Sequence, residues 1–357
     1  MKITYWDKSK DSLVKNISKE RNLNVGYFTG CKIDGISKHY PLPLIRTSTE
    51  LLLPTIEKFM SLGRGTVYEQ NMEWTPKLSI PTKFEESSVF YFAYNCANYY
   101  HWVYDTIPYL YIYFLEKKKD KNLKLLVSPP EGQTDLYPFV YETFEMLNIK
   151  KSDLIFLNEQ TLYKKIIIGS SLTHNRQSLK PPHPNLFTII DSMKGTKSNI
   201  DRIYISRRTW TRPKSENIGT DYTMQRQCVN EDEVVDLFEK YGFKEIFCED
   251  LTMKEKVGLF KSAKIVAGPI GGGLCNAIFC KPTTKLISIN SPEYWSINKR
   301  LEYAMSHTKL YHFDDTEFVD RKQDVVTGKS ALSISGGMNS PWRANLDSLS
   351  KLLEKIA

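Results

Sequence analysis

In the stretch NYYHWVYDTIP, His101 and Asp105 stand four residues apart. On a helix both side chains fall on one face. There a carboxylate can orient an imidazole and raise its basicity, or can itself take a proton. The competing reading is a histidine packed among the neighbouring aromatics and satisfied by a backbone carbonyl. Pro108 bears on the geometry. In a continuing helix it removes the hydrogen bond to the Tyr104 carbonyl and kinks the axis; otherwise it starts a new helix from its first turn. Both cases gather irregular backbone around Asp105.

A second set of residues suits an anion. The stretch AGPIGGGLCN, Ala267 to Asn276, packs four glycines into six positions (Gly268, Gly271, Gly272, Gly273) directly after the apolar run KIVA. A strand-to-helix turn is expected here, at the carboxyl end of a sheet, where open α/β folds bind ligands. Without side chains, the N–H groups of Gly271, Gly272 and Gly273 can approach phosphate oxygens. A helix N-terminus adds partial positive charge worth about 0.3–1 kcal/mol per exposed anion. Asn276, which closes the stretch, is counted with them. The spacing is neither G-x-G-x-x-G nor a P-loop, and a tight packing turn without a ligand is the plain alternative. In YISRRTWTR, Arg207 and Arg208 stand just past a strand, where a guanidinium fork can grip a diphosphate. Arg226, four residues before Asn230, can join them; surface arginines in a loop are the alternative. Glu249 ends KEIFCE at the same edge, placed either to accept hydrogen bonds from ribose hydroxyls or simply to be solvated. The carboxylates of NEDE, 230–233, are explained by helix capping and dipole complementarity. No Asp-x-Asp pair stands elsewhere, so no metal site is expected.

These residues need a scaffold. From residue 200 onward, DRIYIS, KEIFCE, KIVAGP, TKLISIN and LYHF read as strands. They alternate with helices at NEDEVVDLFEKYG, TMKEKVGLFKSA and YWSINKRLEYAMSH. Asn230 with Glu233, and Thr252 with Glu255, have capping-box spacing, and Gly242 is placed to end its helix. This alternation predicts a parallel sheet covered on both faces. Earlier, SVFYFAY, LKLLVSPP, DLIFLN and KKIIIGSSL read as strands. YYHWVYDTIPYLYIYFLEKK and LYPFVYETFEMLNI read as helices, after some 80 residues whose order is not assigned. The expectation is an N-terminal α/β domain over 1–195, a linker at DSMKGTKSNID, and a Rossmann-like domain over 200–335. The segment 340–357 is expected to form an amphipathic helix.

Length favours two domains, and 41% hydrophobic with 25% charged residues is ordinary for a globular chain. No run approaches the length of a membrane span and the first residues do not read as a signal peptide, so a cytoplasmic location is expected. Six scattered cysteines without a Cys-x-x-Cys pair read as reduced thiols. The net charge of +8 is spread along the chain, densest in EKKKDKNLK at 116–124. That run reads as a solvated loop, or as attraction to an anionic glycan or weak peripheral association with a membrane surface. No nucleic-acid module is indicated.

Four stretches in order, NYYHWVYDTIPYL, YISRRTWTR, RQCVNEDEVVDLFEKYGF and FCEDLTMKEKVGLFKSAKIVAGPIGGGLCNAIF, resemble glycosyltransferase family 61 over roughly residues 88–290. The resemblance implies a GT-B-like pair of Rossmann-type domains with a cleft between them, the nucleotide sugar bound by the domain over 200–335 and, by analogy with GT-B enzymes, the helix of 340–357 packing back on the first domain. It further implies an inverting, metal-independent transfer from a nucleotide sugar, UDP-linked, to a glycan or polysaccharide acceptor, with no other cofactor. By motif position His101 and Asp105 match the family's His-x-x-x-Asp, Arg207 its post-strand arginine, Arg226 with Asn230 its Arg-x-x-x-Asn, and Gly271 to Gly273 its glycine turn. The chain departs from the family at Ile270, where histidine is usual. On this reading Asp105 is the base and His101 its orienter or alternate. A non-catalytic glycan-binding protein and a nicotinamide-dependent oxidoreductase are the rival readings.

Overall fold

The computed structural model describes residues 80–93, 96, 98–130, 132–158, 160–173, 182–208, 226–292, 299–319 and 340–356. Before these it describes the strands β1 (Thr4–Tyr5), β2 (Val14–Ser18), β3 (Leu23–Ile36), β4 (Pro43–Arg46) and β5 (Leu51–Leu53). The chain divides into two compact units, Met1–Ser192 and Met193–Ala357. The division falls inside the polar stretch expected to be a linker.

In the first unit, β6 (Lys83–Tyr91), β7 (Lys124–Val127), β8 (Leu154–Phe156) and β9 (Thr161–Gly169) form a parallel core in the order β8-β7-β6-β9. The chain steps outward from β6 through β7 to β8, then returns to the other side of β6 as β9. The carboxyl ends of β6 and β9 therefore flank a topological switch point. Beyond β9 the sheet continues through antiparallel β3 to β4, β5 and β1. The strands' apolar runs are buried because both faces are covered. Val89, Tyr91, Leu126, Ile166 and Ile168 share one cluster with Phe28 and Ile33 of β3.

The segment after β6, read from sequence as one helix, is four pieces: α1 (Tyr99–His101), a π-helical turn (Trp102–Thr106), a 3₁₀ turn (Ile107–Tyr109) and α2 (Leu110–Lys119). Pro108 has no N–H to give the Tyr104 carbonyl. The chain widens to a π turn ahead of it, with the Ile107 N–H bonding the Trp102 carbonyl, and restarts with proline in the first turn. Residues 117–119 of the basic run are the last turn of α2, where cations complement the helix dipole. Lys117 is tied to the Leu123 carbonyl and to Asp153. The helix α3 (Pro138–Met146) follows β7, and α4 (Leu186–Ser192) ends the unit.

The second unit is a five-stranded, all-parallel sheet of β10 (Arg202–Ile205), β11 (Lys244–Ile246), β12 (Ile265–Pro269), β13 (Lys285–Ile289) and β14 (Lys309–Phe313). Its order, β11-β10-β12-β13-β14, puts a switch point between β10 and β12. The helices are α5 (Glu231–Lys240), α6 (Met253–Ser262), α7 (Lys299–Met305) and α8 (Leu346–Ile356). Gly242 ends α5 with φ of 77°, as its position predicts. Thr252 and Glu255 form the capping box of α6. The linker lies on that helix through facing glycines: a Cβ on Gly195 would meet the Gly258 nitrogen at 2.0 Å.

One expectation is corrected. Asn230 precedes α5 but does not cap it, because its side chain clasps Ala344 instead, donating to the carbonyl at 2.9 Å and accepting the N–H at 3.0 Å. That clasp holds β16 (Trp342–Ala344), which pairs with β15 (Thr316–Phe318). The helix α8 packs in the second unit's own core. Leu349, Leu353 and Ile356 join Val235, Phe238 and Trp342 there, so its apolar face is already covered within the unit that carries it.

Candidate active site

The His101–Asp105 pair forms at the switch point of the first unit. Asn98 caps α1 by accepting the Tyr100 and His101 N–H groups, which fixes where the helix starts. His101 Nδ1 then lies 2.6 Å from Asp105 Oδ2. The other carboxylate oxygen accepts the Thr173 hydroxyl at 2.6 Å. Thr173 follows β9 and Asp105 follows β6, so the bond closes across the two strands flanking the switch point. Tyr109 fastens the same place from below, its hydroxyl donating to the Gly169 carbonyl. Exposure divides the pair: the His101 side chain is 32% exposed and the Asp105 side chain 0%. Asp105 is thus buried with an oxygen on either neighbour, and the imidazole is the group that reaches solvent. This is the geometry in which a carboxylate holds one imidazole nitrogen and raises the basicity of the other.

The arginine and the glycine turn meet at the switch point of the second unit. Arg207 leaves the end of β10, and its guanidinium lies on Gly271 beyond β12, where an added Cβ would stand 2.0 Å from a guanidinium nitrogen. Gly268 permits the approach of the two strand ends, since a Cβ there would meet the Ile205 carbonyl oxygen at 2.6 Å. Nothing among the described residues lies within 4 Å of where a Cβ on Gly272 would stand. Among the described residues no acceptor lies on the N–H groups of Gly271, Gly272 or Gly273. One guanidinium thus lies on a run of glycines whose N–H groups have no acceptor among the described residues, a combination suited to an anion. The following helix is a 3₁₀ turn, Leu274–Phe279.

Other expected donor ligands are placed differently. Arg208, next to Arg207 in sequence, turns away: it pairs with Glu245 through two nitrogens, at 2.9 and 2.6 Å, and with Asp232 at 2.5 Å. Those carboxylates hold its guanidinium charged and committed. Asn276 is buried and donates to the Gly273 carbonyl at 2.8 Å, so it holds the turn from within. Glu249 lies in a 3₁₀ turn, Cys248–Asp250, after β11, and the adjacent Cys248 packs against Gly273. Arg226 sits in the left-handed region with φ of 58°, its carbonyl accepting the Trp342 indole N–H at 2.9 Å. Ile270 is buried and its N–H bonds the Ile289 carbonyl.

Two residues of the site escape a reading of the sequence. Thr173 lies 68 positions from Asp105, and nothing local marks it. Glu231 is buried behind Arg207, accepting its backbone N–H at 2.7 Å. A signal for it exists: Glu231 shares the face of α5 that Val234, Val235 and Phe238 bury. Among the described residues no group of three or more His, Cys, Asp or Glu side chains is arranged to hold a metal. All six cysteines are free and buried. Among the described residues no helix is long and apolar enough to cross a membrane.

The first unit carries a paired imidazole and carboxylate at its switch point, and the second an arginine on a glycine turn at its own. The family model described as Glycosyltransferase 61 matches residues 99–287, more than half of the 357-residue chain, from the start of α1 to within β13. The protein belongs to glycosyltransferase family 61, and its activity is glycosyl transfer from a sugar donor to a glycan acceptor. No curated protein matches the chain.

Proposed function

We propose that the protein transfers a sugar, with inversion and without a metal, from a UDP-linked donor to a hydroxyl of a glycan or polysaccharide acceptor in the cytoplasm. The two units would act as a GT-B-like pair. The observation that carries the reading is the Arg207 guanidinium lying on Gly271 at the switch point of the second sheet. In this reading Arg207 and the glycine N–H groups supply the positive charge that stabilises the leaving diphosphate, a role worth about 10²–10³ in rate for a single donor.

The base is assigned to His101, a revision of the expectation that Asp105 fills that role. Asp105 has no exposed side-chain surface and both of its oxygens are engaged. The imidazole takes the acceptor's proton on Nε2, while Asp105 holds Nδ1 and stabilises the imidazolium that forms. General-base catalysis of this kind contributes about 10²–10⁴-fold. The test is sugar transfer by His101→Ala with a panel of UDP-sugars, in the presence and absence of EDTA. Turnover should fall by about that factor with donor affinity unchanged, and added imidazole should restore part of it. EDTA should change nothing. Turnover near wild type in His101→Ala would remove the assignment, and loss of rate on chelation would remove the metal-independent mechanism.

A further inference from the structure

Glu231 lies under the anion-binding arginine and is not needed for the proton transfer just described. It is the first residue of α5 and is 1% exposed. Its Oε1 accepts the Arg207 N–H at 2.7 Å and the Tyr204 hydroxyl at 3.2 Å. Its Oε2 is buried and has no partner among the described residues. The charged and titratable groups facing it are Tyr204 from β10, Arg207 and Arg208 from the loop after β10, and Cys228 ahead of α5. Burial keeps Tyr204 and Cys228 protonated. Arg208 is held by Glu245 and Asp232. Arg207, whose N–H the carboxylate holds and whose charge acts on it, is the cation that Glu231 would share with an anion on the glycine turn.

We infer that Glu231 is a positioning residue that fixes Arg207 over the glycine turn, and that it takes up a proton from solvent on Oε2 when the donor's diphosphate docks. The inference rests on the diphosphate site proposed above. Its physical basis is competition. An ionised Glu231, which holds the Arg207 N–H and feels its charge, and a diphosphate docked on the turn are two anions drawing on one cation, and the second to arrive raises the proton affinity of the first. Burial has already raised the Glu231 carboxyl to about 7, against lowering by the Arg207 N–H and charge. The orphan oxygen is where the proton goes. Docking near neutral pH should therefore be accompanied by protonation.

The experiment is calorimetric titration of the full-length protein with UDP-, GDP- and dTDP-sugars from pH 6 to 8.5, in buffers of different ionisation enthalpy. The diphosphate of such donors stays fully ionised over this range. Affinity should tighten about tenfold as pH falls through 7, matching a tenfold rise in the carboxyl's proton affinity on docking, with net proton uptake. Glu231→Gln keeps both acceptor contacts and cannot titrate, so it should bind with a flat pH profile and no uptake. Glu231→Ala should bind more weakly at every pH. Uptake persisting in Glu231→Gln, or absent from a wild type that binds the donor, would overturn the inference. A wild type that binds none of these sugars at any pH would remove the diphosphate site itself, and the inference with it.

Discussion

An alanine at position 271 separates binding from folding in the second unit. Its Cβ would stand 2.0 Å from a guanidinium nitrogen of Arg207 and 3.1 Å from the central carbon, so the guanidinium must leave the turn. What moves is the end of a flexible side chain, and Gly271 is not in the left-handed region. Stability should therefore change by less than about 1 kcal/mol. Donor affinity should fall by the value of a charge-assisted hydrogen bond, about 1.5–3 kcal/mol, or roughly ten- to a hundred-fold. Gly268→Ala makes the opposite prediction: its Cβ would meet the Ile205 carbonyl oxygen at 2.6 Å in the sheet itself, so it should cost about 1–3 kcal/mol of stability. The assay is donor titration of Gly271→Ala, Arg207→Ala and the double variant, beside denaturant unfolding of each. If Gly271 acts only through Arg207, the double variant binds no more weakly than Arg207→Ala alone. Additive losses, or wild-type affinity in Gly271→Ala, would show that Gly271 does not act through Arg207.

Three further outcomes are expected. Arg208→Ala should lower stability by no more than about 1 kcal/mol and leave donor affinity unchanged, because its partners are Glu245 and Asp232; a loss like that of Arg207→Ala would show the two arginines working together. Asn230→Ala should cost about 1–3 kcal/mol in urea unfolding, since both buried polar groups of Ala344 lose their partner; a neutral result would mean the clasp is not needed. The Glu231 carboxyl is raised by burial from 4.5 to about 7. The folded state therefore binds its proton more tightly than the unfolded state, and stability is lost as pH rises through that window. Wild type should lose about 3 kcal/mol between pH 4.5 and 7 relative to Glu231→Gln, and parallel stability curves for the two would contradict the buried carboxylate.

Much of this arrangement is written locally. The alternation after residue 200 specifies the parallel sheet, and Thr252 with Glu255 caps its helix because both partners lie within one turn. Asn230 has the same local signature and behaves differently, because its side chain finds Ala344, 114 residues away. Arg207 and Arg208 are equivalent as sequence; only the placement of Glu245 and Asp232 diverts one from the turn. His101 and Asp105 are legible as a pair because helical spacing brings them together. Which of them reaches solvent depends on Thr173, which strand pairing between β6 and β9 brings in from outside any local pattern. Residues 209–225, including the end of YISRRTWTR, lie outside the described segments.

In the proposed function, Arg207 and the glycine turn hold the diphosphate of a nucleotide sugar. Thermal unfolding of wild type and Arg207→Ala with UDP-, GDP-, CMP- and dTDP-sugars, with NAD and NADP beside them, tests this. One sugar-nucleotide class should stabilise wild type by about 2.7 kcal/mol at a hundred times its Kd and should do so markedly less for Arg207→Ala. Stabilisation by the nicotinamides alone, or the same shift in both proteins, would contradict it.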